Sequence, residues 1–128
     1  MRSAALAPEA KSSAMADIFV TLGHISGHLG KYAEAIEAYS RALDIRIHTV
    51  GPEDDSVAEL NRSIGETYFF RFDNFRDAVP YLEEAYRIQS KLRPNDHETG
   101  KIAVGLAICY ISVGRYDDGL RLLLPAAA

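Results

Sequence analysis

At 128 residues, with 48% of them apolar, the chain can build one domain or a few repeats of a solenoid around an ample core. Its 14 basic and 18 acidic residues give a net charge of −4, which argues against broad binding of nucleic acid or anionic membrane, since both need clustered Lys and Arg. One cysteine, Cys109, allows no internal disulfide and suits a reducing, cytoplasmic setting. No apolar run reaches the ~20 residues of a membrane-crossing helix, and residues 1–16 lack the apolar block of a signal peptide.

Residues 1–10 are expected to be loose, because Pro8 disfavours helix at the residue before it. From about Lys11 to Leu29, Met15, Ile18, Phe19, Leu22, Ile25 and Leu29 recur at helical spacing and predict the first helix. Gly30 ends it, and Lys31 or Tyr32 opens a second that runs to about His48. Gly51-Pro52 is a turn. Ser56 and Glu59 then have the spacing of a capping box and predict a third helix, continuing to about Arg71. The next connection is one residue longer than its counterpart, since Gly23 to Tyr32 is 9 positions and Gly65 to Phe75 is 10. Asp73 or Asn74 can cap the fourth helix, and Pro80 inside it predicts a kink or a late start near Asp77. Asn95 and Glu98 again have capping-box spacing, before a fifth helix from His97 to Val113. The sixth starts after Gly114 and is expected to stop short at Pro125.

These helices come in copies. The stretch from Lys31 to Ile45 (KYAEAIEAYSRALDI) is repeated in pattern from Asn74 to Ile88 (NFRDAVPYLEEAYRI), and GRYDDGLRLLL begins a third copy. Ala35, Tyr39 and Ala42 become Ala78, Leu82 and Ala85, then Gly119, Leu123 and Ala126. Leu22-Gly23, Ile64-Gly65 and Leu106-Ala107 stand 42 apart (64 − 22 and 106 − 64). A fixed period of this length marks a repeat architecture. Each helix is amphipathic and too poor in apolar surface to stand alone, so stacked antiparallel pairs must bury those faces.

The pattern resembles the tetratricopeptide repeat in the 42-residue form of kinesin light chains and nephrocystin-like proteins. The small residue in the middle of helix A matches Gly23, Gly65 and Ala107, and the aromatic three positions on matches Tyr68 and Tyr110, with Ser26 departing in the first repeat. The turn glycine matches Gly30 and Gly114, whereas the second repeat has Phe72-Asp73 there. The linkers GPEDDSVAEL and RPNDHETGKIA resemble those of kinesin light chains without their second proline. The resemblance covers about residues 14–124. It implies an all-α fold, a right-handed α-solenoid of three helix-turn-helix repeats with about six antiparallel helices. The repeats would span about 11–51, 52–93 and 94–125, followed by a tail at 126–128.

The family binds proteins or peptides, usually in a concave groove lined by A helices. Carried over, the groove positions are Asp17, Val20, His24 and His28, then Glu59, Arg62, Glu66, Phe69 and Phe70, then Lys101, Val104, Ile108 and Ile111. Arg62 offers a guanidinium fork to a partner carboxylate and Phe69 an aromatic anchor. Ile108 and Ile111 are also candidates for the core. Of the paired asparagines that kinesin-type grooves use on peptide backbones, Asn61 alone remains.

Other chemistry finds little support. His24 and His28 stand at i and i+4, a spacing that can bind metal, but nothing nearby completes a site and they are read as groove-lining histidines. Cys109 sits in an apolar helix and reads as a small buried hydrophobe. The run Glu53-Asp54-Asp55 reads as a solvated helix start. There is no phosphate-binding glycine loop, nucleophile elbow or supported carboxylate pair, so neither an enzyme nor a cofactor is expected. The last helix ends in Leu122-Leu123-Leu124 instead of a polar cap. That ending points to a fragment of a longer array, or to self-association end to end through Leu122 and Leu123.

Overall fold

The computed structural model describes residues 8–127, and these form six α-helices and no strand. They are α1 (Pro8–His28), α2 (Tyr32–Val50), α3 (Asp55–Phe72), α4 (Phe75–Leu92), α5 (His97–Ser112) and α6 (Tyr116–Ala127). The expected all-α fold of three helix-turn-helix pairs is therefore found. The described residues divide into two compact units, one ending at residue 60 and the other beginning at residue 61.

In the first unit α1 and α2 form an antiparallel pair joined by residues 29–31. Ala16 and Gly23 of α1 are buried with Ala35, Ala38, Tyr39, Ala42 and Leu43 of α2. Small side chains on both helices let the backbones approach closely. A Cβ on Gly23 would lie 2.5 Å from the Tyr39 ring, so the missing side chain is the space that Tyr39 fills. Gly30 takes the left-handed conformation (φ 77°), and the Lys31 N–H donates to the Ser26 carbonyl at 2.8 Å, closing the end of α1. Arg46 reaches across from α2 to pair with Asp17.

The loose segment expected over residues 1–10 lies outside the described residues as far as residue 7. Pro8–Ala10 are helical, a correction with a simple cause: proline at a first helical position gives up an N–H that would have no partner anyway. The capping boxes are also corrected. Asp54 Oδ2 accepts both the Ser56 N–H (2.9 Å) and the Ser56 hydroxyl (2.6 Å), so Ser56 donates to the cap and does not supply it. Those two bonds hold the Asp54 carboxyl below the usual carboxylate range. Asp96 does the same at the start of α5, accepting the Glu98 N–H at 3.0 Å. A carboxylate is the stronger acceptor for these orphan amides.

In the second unit the later part of α3 packs on α4, and α5 packs on both α4 and α6. The core gathers Ala78, Val79 and Leu82 of α4 with Leu106, Cys109 and Tyr110 of α5; Tyr68, Phe69, Phe75, Tyr86 and Leu122 lean on it. A Cβ on Gly65 would lie 2.8 Å from Leu82, repeating the fit of Gly23 with Tyr39. The Tyr110 hydroxyl donates to Glu83 at 2.5 Å, and Arg115 stacks over the Tyr110 ring at 4.6 Å while approaching Glu83 at 3.6 Å.

The connection between α3 and α4 departs from expectation. The extra residue does not lengthen the turn: α3 continues to Phe72, and only Asp73 and Asn74 separate the helices. Asp73 takes the place of the turn glycine with φ 49°, and the Asn74 N–H reaches back six residues to the Tyr68 carbonyl (2.9 Å), where Lys31 and Arg115 reach back five. Asn74 caps α4 by accepting the Asp77 N–H at 3.1 Å, so the helix starts at Phe75 and not near Asp77. Pro80 lies inside it, six residues past the cap (80 − 74). Helix α6 likewise runs past Pro125 to Ala127, because a donor lost in the last turn forfeits a single bond.

Candidate interaction face

Helices α3 and α5 of the second unit present their groove-register residues side by side, and an ion-pair chain ties the two helices together. Arg62 lies 3.5 Å from Glu66 on its own helix and 3.7 Å from Glu98 on α5, and Lys101 lies 3.6 Å from Glu98. Two cations and two anions make this end of the face locally neutral. The Arg62 guanidinium, expected to await a partner carboxylate, already has two carboxylates within the chain. From sequence Glu98 reads only as a capping-box residue, not as part of this face. Its signal was its place three residues before Lys101, a spacing that puts both on one helical face.

Farther along α5 the face becomes apolar. Val104, Ile108 and Ile111 follow at i, i+4 and i+7, and all three are exposed. Ile108 and Ile111 are therefore not core, a correction to that part of the reading. They lie on the side of α5 that faces neither α4 nor α6, while Leu106, Cys109 and Tyr110 fill the packed side. Apolar character runs all round this helix, so periodicity alone could not separate its sides.

Phe69 is half-buried. Its ring meets Phe75 edge-on at 5.2 Å and Phe70 at 4.7 Å, and it leans on the core. Phe70, 67% exposed, is the more available aromatic. Tyr68 stacks on Tyr81 at 5.9 Å, and burial pushes its hydroxyl pKa up.

In the first unit, His24 and His28 are exposed on α1, and the His24 ring meets Tyr39 edge-on at 5.6 Å. Among the described residues no group of three or more His, Cys, Asp or Glu gathers to hold a metal. Cys109 is fully buried, and burial pushes its thiol up to about 11. No described helix is long and apolar enough to cross a membrane.

On α6, Leu122 and Leu123 are half-buried, with Leu122 packed against the core. The side chains that face outward are Tyr116, Leu120 and Leu124. The terminal leucines singled out from sequence are thus one step around the helix from its open face.

Three comparisons place the chain among known proteins. It is 30% identical over 126 residues to the Arabidopsis thaliana protein KINESIN LIGHT CHAIN-RELATED 1, covering 96% of this chain and 20% of that protein. In structure it resembles BtubC (BKLC) from P. vanneervenii, with TM-score 0.72 and 22% identity over 88% of this chain and 45% of the other. It also resembles the nearly identical TPR-like repeats of a kinesin light chain-type protein from P. anserina, with TM-score 0.73 and 21% identity over 94% and 56% of the two chains. The chain thus spans a fifth of the length of its curated relative and about half of each structural one. Residues 14–91 match the sequence model of the tetratricopeptide repeat, more than half of the chain, and the chain belongs to that family.

Proposed function

We propose that the protein is a scaffold that binds a peptide or partner protein on the groove face of its A helices. Repeats of this family mediate protein–protein interaction. The observation that carries the reading is the α3–α5 face, where the apolar row Val104, Ile108 and Ile111 continues from the neutral cluster of Arg62, Glu66, Glu98 and Lys101. None of these seven side chains belongs to the core cluster, so their exposure is left for a ligand. Phe69 with Phe70 borders this face on α3, and His24 and His28 are assigned the same role on α1. An apolar row at helical spacing fits an amphipathic helix that lays its apolar side along α5. The working unit is proposed to be the three repeats at 11–51, 52–93 and 94–125, acting in the cytoplasm, where a lone sealed thiol such as Cys109 stays reduced.

A peptide library displayed on phage, selected against the wild-type chain, tests this. Binders are expected to lose at least about tenfold in affinity against Ile108→Glu, because a carboxylate in a desolvated apolar contact goes unpaired. They should keep it against Leu120→Glu on the outer side of α6. Binders indifferent to Ile108→Glu, or no binders at all, would sink the reading. A second reading, self-association through the repeat ends, is favoured by a separate observation: both α1 and α6 carry apolar rows that nothing in the described residues covers.

A further inference from the structure

The two terminal helices present the two halves of an interface that the chain already makes once. Inside the second unit, α4 and α5 pack antiparallel, with Val79 set among Leu106, Cys109 and Tyr110 and with Phe75 leaning on the same cluster. Counted by the repeat, α6 is the next copy of α4 and α1 is an earlier copy of α5. The shift from α4 to α6 is 41 (116 − 75), so Phe75, Val79 and Glu83 correspond to Tyr116, Leu120 and Leu124. The shift from α1 to α5 is 84 (106 − 22), so Ile102, Leu106 and Cys109 correspond to Ile18, Leu22 and Ile25.

The residues that are buried in the internal junction are open at the ends. Leu106 is 2% exposed and its counterpart Leu22 is 46% exposed; Val79 is 5% exposed and its counterpart Leu120 is 56% exposed. Ile18 and Ile25 extend the row on α1, Leu29 follows just past its end, and an open hollow lined by Asp17, Ile18, Thr21 and Leu22 lies on that face. On α6 the row is Tyr116, Leu120 and Leu124.

We propose that α6 of one copy docks on α1 of a second copy, continuing the α4–α5 interface from chain to chain. The proposal rests on the self-association reading and is independent of the groove. One detail argues for a second copy as the occupant. The internal junction includes a part-buried hydrogen bond from Tyr110 to Glu83. At the ends the counterpart of Glu83 is Leu124, and the counterpart of Tyr110 is Ser26 (110 − 26 is again 84). The carboxylate and the phenol have gone together, so that polar pair is absent from the docked faces and Leu124 can meet apolar surface. Run antiparallel as α4 and α5 are, Tyr116 lies toward Leu29, and Leu124 lies beside Ser26 and Leu22, as Glu83 lies beside Tyr110. The two faces differ, so the contact is heterologous and propagates instead of closing at a dimer. One helix on one helix is smaller than the roughly 800 Å² per partner of a stable complex, so the association is expected to be weak.

The test is the mass of the full chain by sedimentation velocity, from ~10 μM up to ~1 mM, the range in which contacts of this size are populated. The wild type is expected to grow with concentration from the 14.1 kDa of one chain past the dimer. Leu22→Glu and Leu120→Glu each leave one face intact, so each alone is expected to stay at one chain, and an equimolar mixture of the two to form a 1:1 dimer that grows no further. Both side chains are about half exposed, and circular dichroism checks the fold. If either variant fails to fold, Ile18→Gln and Leu124→Gln replace the pair. A wild type that stays at one chain throughout, as it would if a preceding repeat of a longer protein or an unrelated protein covered α1, overturns the proposal. So does a Leu22→Glu variant that still dimerises, because α6 would then be pairing with itself. The groove reading is read by peptide affinity and stands or falls separately.

Discussion

Gly65 and Gly119 show how one residue type can hold opposite stakes. Gly65 faces Leu82 so closely that a Cβ would lie 2.8 Å from that side chain and 3.4 Å from its backbone nitrogen. Gly119 stands where Ala35 and Ala78 stand in the other repeats, and a Cβ there would meet its nearest neighbours at 3.9 Å, an ordinary contact. Gly65→Ala is therefore expected to destabilise by about 1–3 kcal/mol through overpacking. Gly119→Ala, inside α6, is expected to stabilise by about 0.5–1 kcal/mol through helix propensity and a less flexible unfolded chain. Urea unfolding with unchanged slope checks both; the same sign for the two would contradict the packing. The 42-residue period identified both glycines as repeat positions, but distance alone separates the required one from the replaceable one. Arg62 teaches the same lesson: its residue type announces an anion partner, and only the fold shows that Glu66 and Glu98 already serve.

At the scale of the element, the helices and their order follow from the spacing of apolar residues and the turn residues. The details that differ are local contests between acceptors and turns. Asp54 and Asp96 stand 42 apart (96 − 54) and both cap, a repeat visible in the sequence once carboxylates are set against hydroxyls. The α3–α4 turn shows strain of a defined kind. Asp73 holds φ 49° where Gly30 and Gly114 hold the same region at no steric cost. Asp73→Gly is expected to stabilise the chain by about 0.5–1 kcal/mol, the relief of the left-handed conformation outweighing glycine's entropy. A thermal midpoint that fell on this substitution would mean that the Asp73 side chain contributes more than its backbone costs. Whether an apolar row is covered was the part of each helix that sequence could not show. Met15 to Ile25 on α1 and Leu106 with Cys109 on α5 have the same periodicity, and among the described residues only the second row has a helix lying on it.

For the molecule as a whole, a repeat array draws its stability from each helix pair and its nearest neighbours. Cys109 reports on that directly, because it is fully buried where α4 and α5 meet. Its thiol is raised from 9.0 to about 11. Below pH 9 the thiol is neutral in both states, and stability is unaffected by it. Between 9 and 11 the unfolded chain releases a proton that the folded chain retains, so stability falls as pH rises through this window, by up to about 2 kcal/mol. The thermal midpoint is expected to drop from pH 8.5 to pH 11, and a Cys109→Ala variant to show a shallower drop. Equal slopes would assign the loss elsewhere, with Tyr110 the first alternative, since burial and the bond to Glu83 raise it too. The repeat identity of the whole chain was legible early because three copies in register reinforce one another. The site was less so, since a groove face and a stacking face are both rows of apolar residues.

The corner between α3 and α4 differs in length from the one between α1 and α2. One residue more separates Gly65 from Leu82 than separates Gly23 from Tyr39 (17 against 16), yet each glycine still meets its partner side chain. The corner takes up one residue more than its counterpart while the glycine-to-partner fit is kept in both pairs. Asp73, exposed between the last residue of α3 and the cap residue Asn74, is thus the position at which a reporter peptide or purification loop would leave both helix ends their own bonds.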